Sequence, residues 1–536
     1  MAALITTLSY LLAYVPSPTA ADPILPAMYA NLSFLPPRTL HANWPNLTVE
    51  TEQGTFVGFY NDTYPTVRQF LRIPFAQPPI GDLRWMPPVK PLPSNKTIDS
   101  TRFGQVCPQW FPQTLDDWSR YDPGADSQSI GESSNQGMSS WASGEDCLSL
   151  AIWTPAYANA SSGLPVALFV TGGGGVHGSI IIPFQLPAQW VSSSQEHIVV
   201  TINYRVNIFG TPKARGLKEQ SLSLLDVRAA VEWVSEHIAG FGGDANNIML
   251  WGQSQGAALT HLYTLAWPEN PLVAKFGMIS MPPSVTLNLT EEGDVYEDFD
   301  IVAKALGCNY GNDSAAELDC MRQVSWLQIE EWYNRYEGTP SISFSNYIPD
   351  EKYIFSDESA RYAAGRVARG PAIRSDVARE QPNEDSTITN EVEKQWVCAA
   401  LDDSYARQKL GLDTYRYFYG GNFSNISPVP FLGAWHTSDL PMIFGTYNIS
   451  RGDPQIPISA LEIETSTTMQ DYLLAFLKDS APAAMEASVG WRPFNANETD
   501  GGTILEFGKD VPVKDITGDY LETGCEVSGV EFPIFD

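Results

Sequence analysis

Apolar positions along this chain fall into two kinds of run. At 148–153, 166–170, 198–203 and 248–251 they follow one another with little polar alternation, the pattern of strands buried on both faces. At 223–239 they recur at helical spacing, and 257–267, directly after the fourth run, is rich in helix formers. Strand, helix and strand in alternation imply a mostly parallel sheet with helices on both faces, an α/β class. Upstream, 54–70 reads as short alternating strands of an antiparallel entry sheet, and 74–93 as a proline-rich connector. Residues 108–146 lack periodicity and scatter Trp110, Trp118 and Trp141 among Ser, Asp and Gly, as in a loop between cysteines. From 283 to 358 the pattern is mainly helical and reads as cap insertions. Strand signals return at 371–374 and 414–419, and an amphipathic helix at 461–478 leads into the C-terminal tail.

The junction at 247–258 carries chemistry. An apolar run ends in Gly252-Gln253-Ser254-Gln255-Gly256 and a helix follows at once, the layout of a nucleophile elbow that lifts one serine hydroxyl out of a sheet. A lone Gly-x-Ser-x-Gly is weak evidence; its place between a buried strand and a helix strengthens it. A serine also needs a base and oxyanion donors. Thr171-Gly172-Gly173-Gly174-Gly175 follows the 166–170 strand, and consecutive glycines let backbone N–H groups face a cavity unobstructed.

Composition narrows the classes. The chain has 536 residues, a formal charge of −30 and no basic cluster, which argues against nucleic-acid binding and suits an acidic medium. Residues 1–21 read as a signal peptide cut near Ala21, followed by one domain over 22–536, and no other stretch is long and apolar enough to span a bilayer. Sequons at Asn31, Asn46, Asn61, Asn95, Asn159, Asn288, Asn312, Asn422, Asn425, Asn448 and Asn497 exceed the roughly three or four that composition predicts, and favour an N-glycosylated extracellular protein. Six cysteines make an even set that permits 15 pairings. None has metal-ligand spacing, and the six histidines are scattered, so neither a metal nor a cofactor is expected.

Five further segments carry a resemblance. They are Ile73-Pro74-Phe75-Ala76-Gln77-Pro78-Pro79-Ile80-Gly81-Asp82-Leu83-Arg84, Glu145-Asp146-Cys147-Leu148, Asn203-Tyr204-Arg205-Val206, Phe241-Gly242-Gly243-Asp244, and Gly433-Ala434-Trp435-His436-Thr437-Ser438-Asp439-Leu440-Pro441. In this order, with the elbow and the glycine loop, they resemble the type-B carboxylesterase/lipase (cholinesterase-like) family of α/β-hydrolases, in the style of its secreted fungal members. The resemblance implies the α/β-hydrolase fold with helical cap insertions and hydrolysis of a small-molecule or lipid ester through an acyl-enzyme. It makes Ser254 the nucleophile, His436 the base and Glu380 the acid, with the N–H groups of Gly173, Gly174 and Gln255 as oxyanion donors. It also implies disulfides Cys107–Cys147, Cys308–Cys320 and Cys398–Cys525.

The chain departs from the family at several positions. Thr171 replaces the histidine or aromatic that opens the glycine loop, Gln253 stands where a glutamate precedes the serine, and Gln255 replaces a small residue. Gln381 stands in place of the glycine after the acid. The segment from Glu380 to Cys398 is short by roughly fifty residues, which leaves Glu384 and Asp385 as fallback acids and predicts an open acyl pocket. The 108–146 loop has no aromatic at the choline-binding position, so a cholinesterase proper is disfavoured. Two rival readings remain, a catalytically impaired binding protein and a narrow biosynthetic esterase or acyltransferase. His177 reads as a loop residue; His41, His197, His237 and His261 read as surface or packing histidines.

Overall fold

A computed structural model describes residues 47–109, 143–284, 294–382, 386–427, 429, 431–448, 457–498, 500–522 and 525. The segment read as a signal peptide, most of the 108–146 loop, Glu384 and Asp385 lie outside them. Two sheets form. Strands β1 (Thr48–Thr51) and β2 (Gly54–Val57) pair antiparallel, and β2 pairs parallel with β5 (Thr97–Asp99). The other strands are β3 (Phe59–Tyr60), β4 (Val67–Pro74), β6 (Ser149–Pro155), β7 (Leu164–Val170), β8 (Ile198–Ile202), β9 (Gly243–Gln253), β10 (Lys275–Ile279), β11 (Ala372–Val377), β12 (Thr414–Tyr419), β13 (Thr503–Phe507) and β14 (Val513–Thr517). They build one 11-stranded sheet in the order β14-β13-β12-β11-β10-β9-β7-β8-β6-β4-β3. From β8 through β13 in this order every pairing is parallel, and both ends of the sheet are antiparallel.

The uninterrupted apolar runs have their cause here. Along β7, Val166, Leu168 and Val170 join the core on one face while Ala167 and Phe169 join the core on the other, all at 1% exposure or less. A strand covered on both sides has no solvent face to carry polar residues. Helices α1 (Leu222–His237) and α2 (Gln255–Ala266) cover the first face with Leu224, Val231, Leu259 and Leu262. Helices α5 (Leu440–Phe444) and α6 (Ala460–Lys478) cover the second with Leu440, Phe444, Met469 and Phe476. A third core, with Phe299, Val302, Leu318 and Ile329, sits under α3 (Glu297–Ala305) and the helices Ser314–Gln323 and Trp326–Asn334 in the cap region. Helix α4 (Ser386–Lys409) follows the short segment after Glu380.

The α/β-hydrolase architecture is present, with three differences in detail from the sequence reading. The 54–70 region does not form one antiparallel sheet: β2 belongs to the small sheet, whereas β3 and β4 extend the large one. The C-terminal tail contributes the β13–β14 hairpin, and β10 and α4 also form where no element was expected. The three implied disulfides all form. Asn425 is a correction: it is buried, and its amide donates to Tyr447 O and Glu462 Oε1 at 2.9 and 2.7 Å, leaving no room for a glycan. The sequons at Asn95, Asn159, Asn312, Asn422, Asn448 and Asn497 are exposed.

Candidate functional site

The sheet assembles the site at the carboxyl ends of its parallel strands, where open α/β sheets place their ligand crevices. Ser254 follows β9, the glycine loop follows β7, and Glu380 follows β11. His436 lies in the connection between β12 and α5.

Ser254 sits in the turn from β9 to α2 with φ 56° and ψ −124°, a strained conformation for a residue with a side chain. The turn is possible because its neighbours have no Cβ. A Cβ on Gly256 would lie 2.0 Å from Val170 O, and one on Gly252 would lie 2.4 Å from the backbone of Gly256. The strain is held from outside as well, since Ser254 N–H donates to Ile279 O at 2.9 Å across the neighbouring strand. This places the serine at 8% exposure, at the head of a helix.

The glycine loop lies against the serine. A Cβ on Gly172 would sit 2.8 Å from Ser254 Cβ, and Gly173 and Gly174 hold φ of 127° and 60°. Among the described residues, no hydrogen-bond acceptor takes the N–H of Gly173, Gly174 or Gln255. Tyr204 OH donates to Thr171 O and Thr171 Oγ1 donates to Gln185 Oε1, which fixes the start of the loop. Gln109 closes its far end through two bonds to the backbone of Gly178. His177 packs over Gly173, and burial pulls its imidazole down to about 4, so it stays neutral at ordinary pH.

The motif residues behind the resemblance are mostly frame. Arg84 forks onto Glu145 at 2.5 and 2.7 Å, and Arg205 onto Asp226 at 2.8 and 2.7 Å, both pairs buried. Asn203 ties Ile180 to the backbone of Gln105 and Cys147. Removing one member of such a buried pair strands a charge, at a cost of about 3–5 kcal/mol.

Glu380 and His436, 56 residues apart in sequence, come together: Nδ1 of His436 lies 2.5 Å from Glu380 Oε2. The other Glu380 oxygen accepts from Val377 N–H at 2.9 Å, and the carboxylate is fully buried. Two backbone bonds align the loops, Arg379 N–H to Ala434 O and His436 N–H to Arg379 O. Trp396 of α4 meets the His436 ring edge to face, with centroids 5.1 Å apart. The short segment after Glu380 therefore still supplies a wall beside the imidazole, built from the next helix. Nothing in the local pattern marked Trp396, because α4 went unrecognised.

Further acids crowd this end of the sheet. Burial pushes Asp439 and Glu393 each up to about 7, and Asp376 also rises. Tyr417 OH donates to Asp439 Oδ2 at 2.9 Å. The remaining histidines play other parts. His197 is buried against Ser194, with its ring pulled down to about 3 by desolvation, and His261 pairs with Glu358 at 2.8 Å. Among the described residues one group of metal-ligating types comes together, Glu52, Glu236 and His237, and Lys90 bridges its two carboxylates at 3.6 and 2.6 Å.

Comparison with known proteins gives the family. The sequence pattern of the Carboxylesterase family matches residues 45–373, ending seven positions before Glu380. A chlorogenic acid esterase of Aspergillus niger is 38% identical across 86% of this chain and 88% of its own length. Secreted lipase 5 of Gibberella zeae is 31% identical across 88% of this chain and 92% of its own. An acetylcholinesterase of Electrophorus electricus is 30% identical, but over only 54% of this chain and 44% of its own. The chain belongs to the carboxylesterase family and is a carboxylic ester hydrolase of the α/β-hydrolase fold.

Proposed function

We propose that this protein is an extracellular, N-glycosylated serine esterase, one hydrolase domain after a cleaved leader, acting through Ser254, His436 and Glu380. The observation that carries the reading is the Glu380–His436 pair, set at the same edge of the sheet as a strained serine and an unobstructed glycine loop. In the first step His436 Nε2 takes the Ser254 proton as Oγ attacks the ester carbonyl. The N–H groups of Gly173, Gly174 and Gln255 receive the oxyanion, and Glu380 stabilises the imidazolium. His436 then protonates the departing alcohol, and water repeats the cycle on the acyl-enzyme.

For the substrate, the identity to a chlorogenic acid esterase over most of both chains favours chlorogenic acid or a related ester. The lipase relative supports acyl-chain esters as the second candidate. Hydrolysis of chlorogenic acid and of p-nitrophenyl esters from acetate to palmitate, by wild type and Ser254→Ala in parallel, tests both levels. Activity that vanishes in Ser254→Ala establishes the serine route, and the preferred substrate identifies the acyl group. Equal residual activity in both proteins would remove Ser254 from the mechanism.

A further inference from the structure

The His436 ring is held at both ends, and its second partner is not the serine. Gln253, the last residue of β9, places Nε2 3.0 Å from His436 Nε2. Ser254 Oγ makes no hydrogen bond to that nitrogen among the described residues. An amide NH2 only donates, so in this arrangement His436 Nε2 accepts and Nδ1 is the nitrogen that faces Glu380. Gln253 is fully buried, and its Oε1 faces Gly172, where a Cβ would lie 2.7 Å away. That oxygen has no partner among the described residues.

We propose that Gln253 is a positioning residue that reserves His436 as a neutral base and so extends the esterase activity into acid. The inference rests on the Ser254–His436–Glu380 reading above. The physical reason lies in the neighbourhood of the ring. Glu380 bonds its Nδ1, Asp439 stands three residues on, and Glu393 of α4 and Asp376 of β11 interact with Glu380. Arg379, Arg374 and Arg416 are cations that offset them. A carboxylate at position 253 would add a negative charge within about 3 Å of Nε2 and favour the imidazolium, which is useless as a base. An amide adds no charge, and its N–H bond is available only to the neutral ring. When substrate enters, Oγ displaces the amide from Nε2 and proton transfer follows the ordinary course.

The test compares kcat/KM against pH for wild type, Gln253→Glu and Gln253→Met on the ester that wild type hydrolyses best. The acid limb of Gln253→Glu should move up by about one pH unit or more, a tenfold relative loss on the acid limb, while near pH 8 the variant stays within a few-fold of wild type. Gln253→Met, of similar length but with neither donor nor charge, should move in the same direction by less. Superimposable acid limbs in all three proteins would overturn the proposal. So would a uniform loss of kcat at every pH, which is what a purely structural role produces. Stoichiometric labelling of Ser254 by a fluorophosphonate at pH 8 shows that each variant is assembled. Failure of wild type itself to label would count against the serine mechanism rather than against Gln253.

Discussion

The two halves of the site are built differently. The half that holds the proposed nucleophile is local: strand, turn and helix run continuously from Gly243 to Ala266, and two glycines and one serine write the geometry into neighbouring positions. The half that holds the proposed acid and base is assembled from three separate segments. Glu380 and His436 stand on loops after different strands, joined by a bridge between Arg379 and Trp435 and backed by Trp396 from α4. Where backbone curvature makes a site, sequence spacing reports it directly. Where folding brings distant loops together, only a charge or a ring in an ordinary-looking stretch marks the place.

That contrast can be broken at several points. The largest effect should come from Ser254→Ala, which removes the proposed nucleophile and should lower kcat by on the order of 10⁴–10⁶, read by steady-state hydrolysis. Glu380→Gln keeps the shape but loses the charge proposed to stabilise the imidazolium; a loss on the order of 10³–10⁴ is expected. Matched Glu384→Gln and Asp385→Gln proteins should stay near wild type, and a comparable loss in either would move the acid to the neighbouring segment. In Gly256→Ala the new methyl has nowhere to go against Val170 O, so a destabilisation of about 3 kcal/mol or more should appear in the urea midpoint. An unchanged midpoint would mean that the elbow is less confined than its geometry implies.

A smaller effect sharpens the acid–base half through stability. Asp439 and Glu393 titrate near 7 in the folded chain, and Glu330 is raised to about 8, against ordinary values near 4 when unfolded. Between about pH 8 and pH 4 the folded state therefore binds more protons than the unfolded one, and stability rises as pH falls through that window. His177 and His197, pulled down to about 4 and about 3, act the opposite way below about pH 6.5. The carboxylates outweigh them near pH 5, so the melting temperature at pH 5 should exceed that at pH 8; the reverse order would mean that these carboxylates stay ionised.

Legibility followed the same division. The central strands were visible because a two-faced apolar strand has few other readings, and the elbow because steric necessity leaves glycine no substitute. Strands β13 and β14 were not visible. Thr503–Phe507 is brief and includes Glu506, and its core contacts come from Tyr417 and Tyr472, far away in sequence. Helix α4 was obscured by its composition, which mixes charged and small residues without a clear stripe. Asn425 shows the limit of motif reading: Asn-x-Ser states what a glycosylating enzyme could recognise, and burial decides whether the folded site leaves room for the glycan.

By itself the sequence determined the fold class, the place of Ser254, the glycine loop and the disulfide-bearing, acidic character of the chain. These follow from short-range sterics and from burial patterns that repeat every few residues. The tertiary structure decided how closely Glu380 and His436 approach, and it alone showed that Trp396 flanks the ring and that Gln253 rather than Ser254 lies against its second nitrogen. Those outcomes depend on distances between segments that no local rule encodes, and they emerge only once the sheet has set its strands side by side.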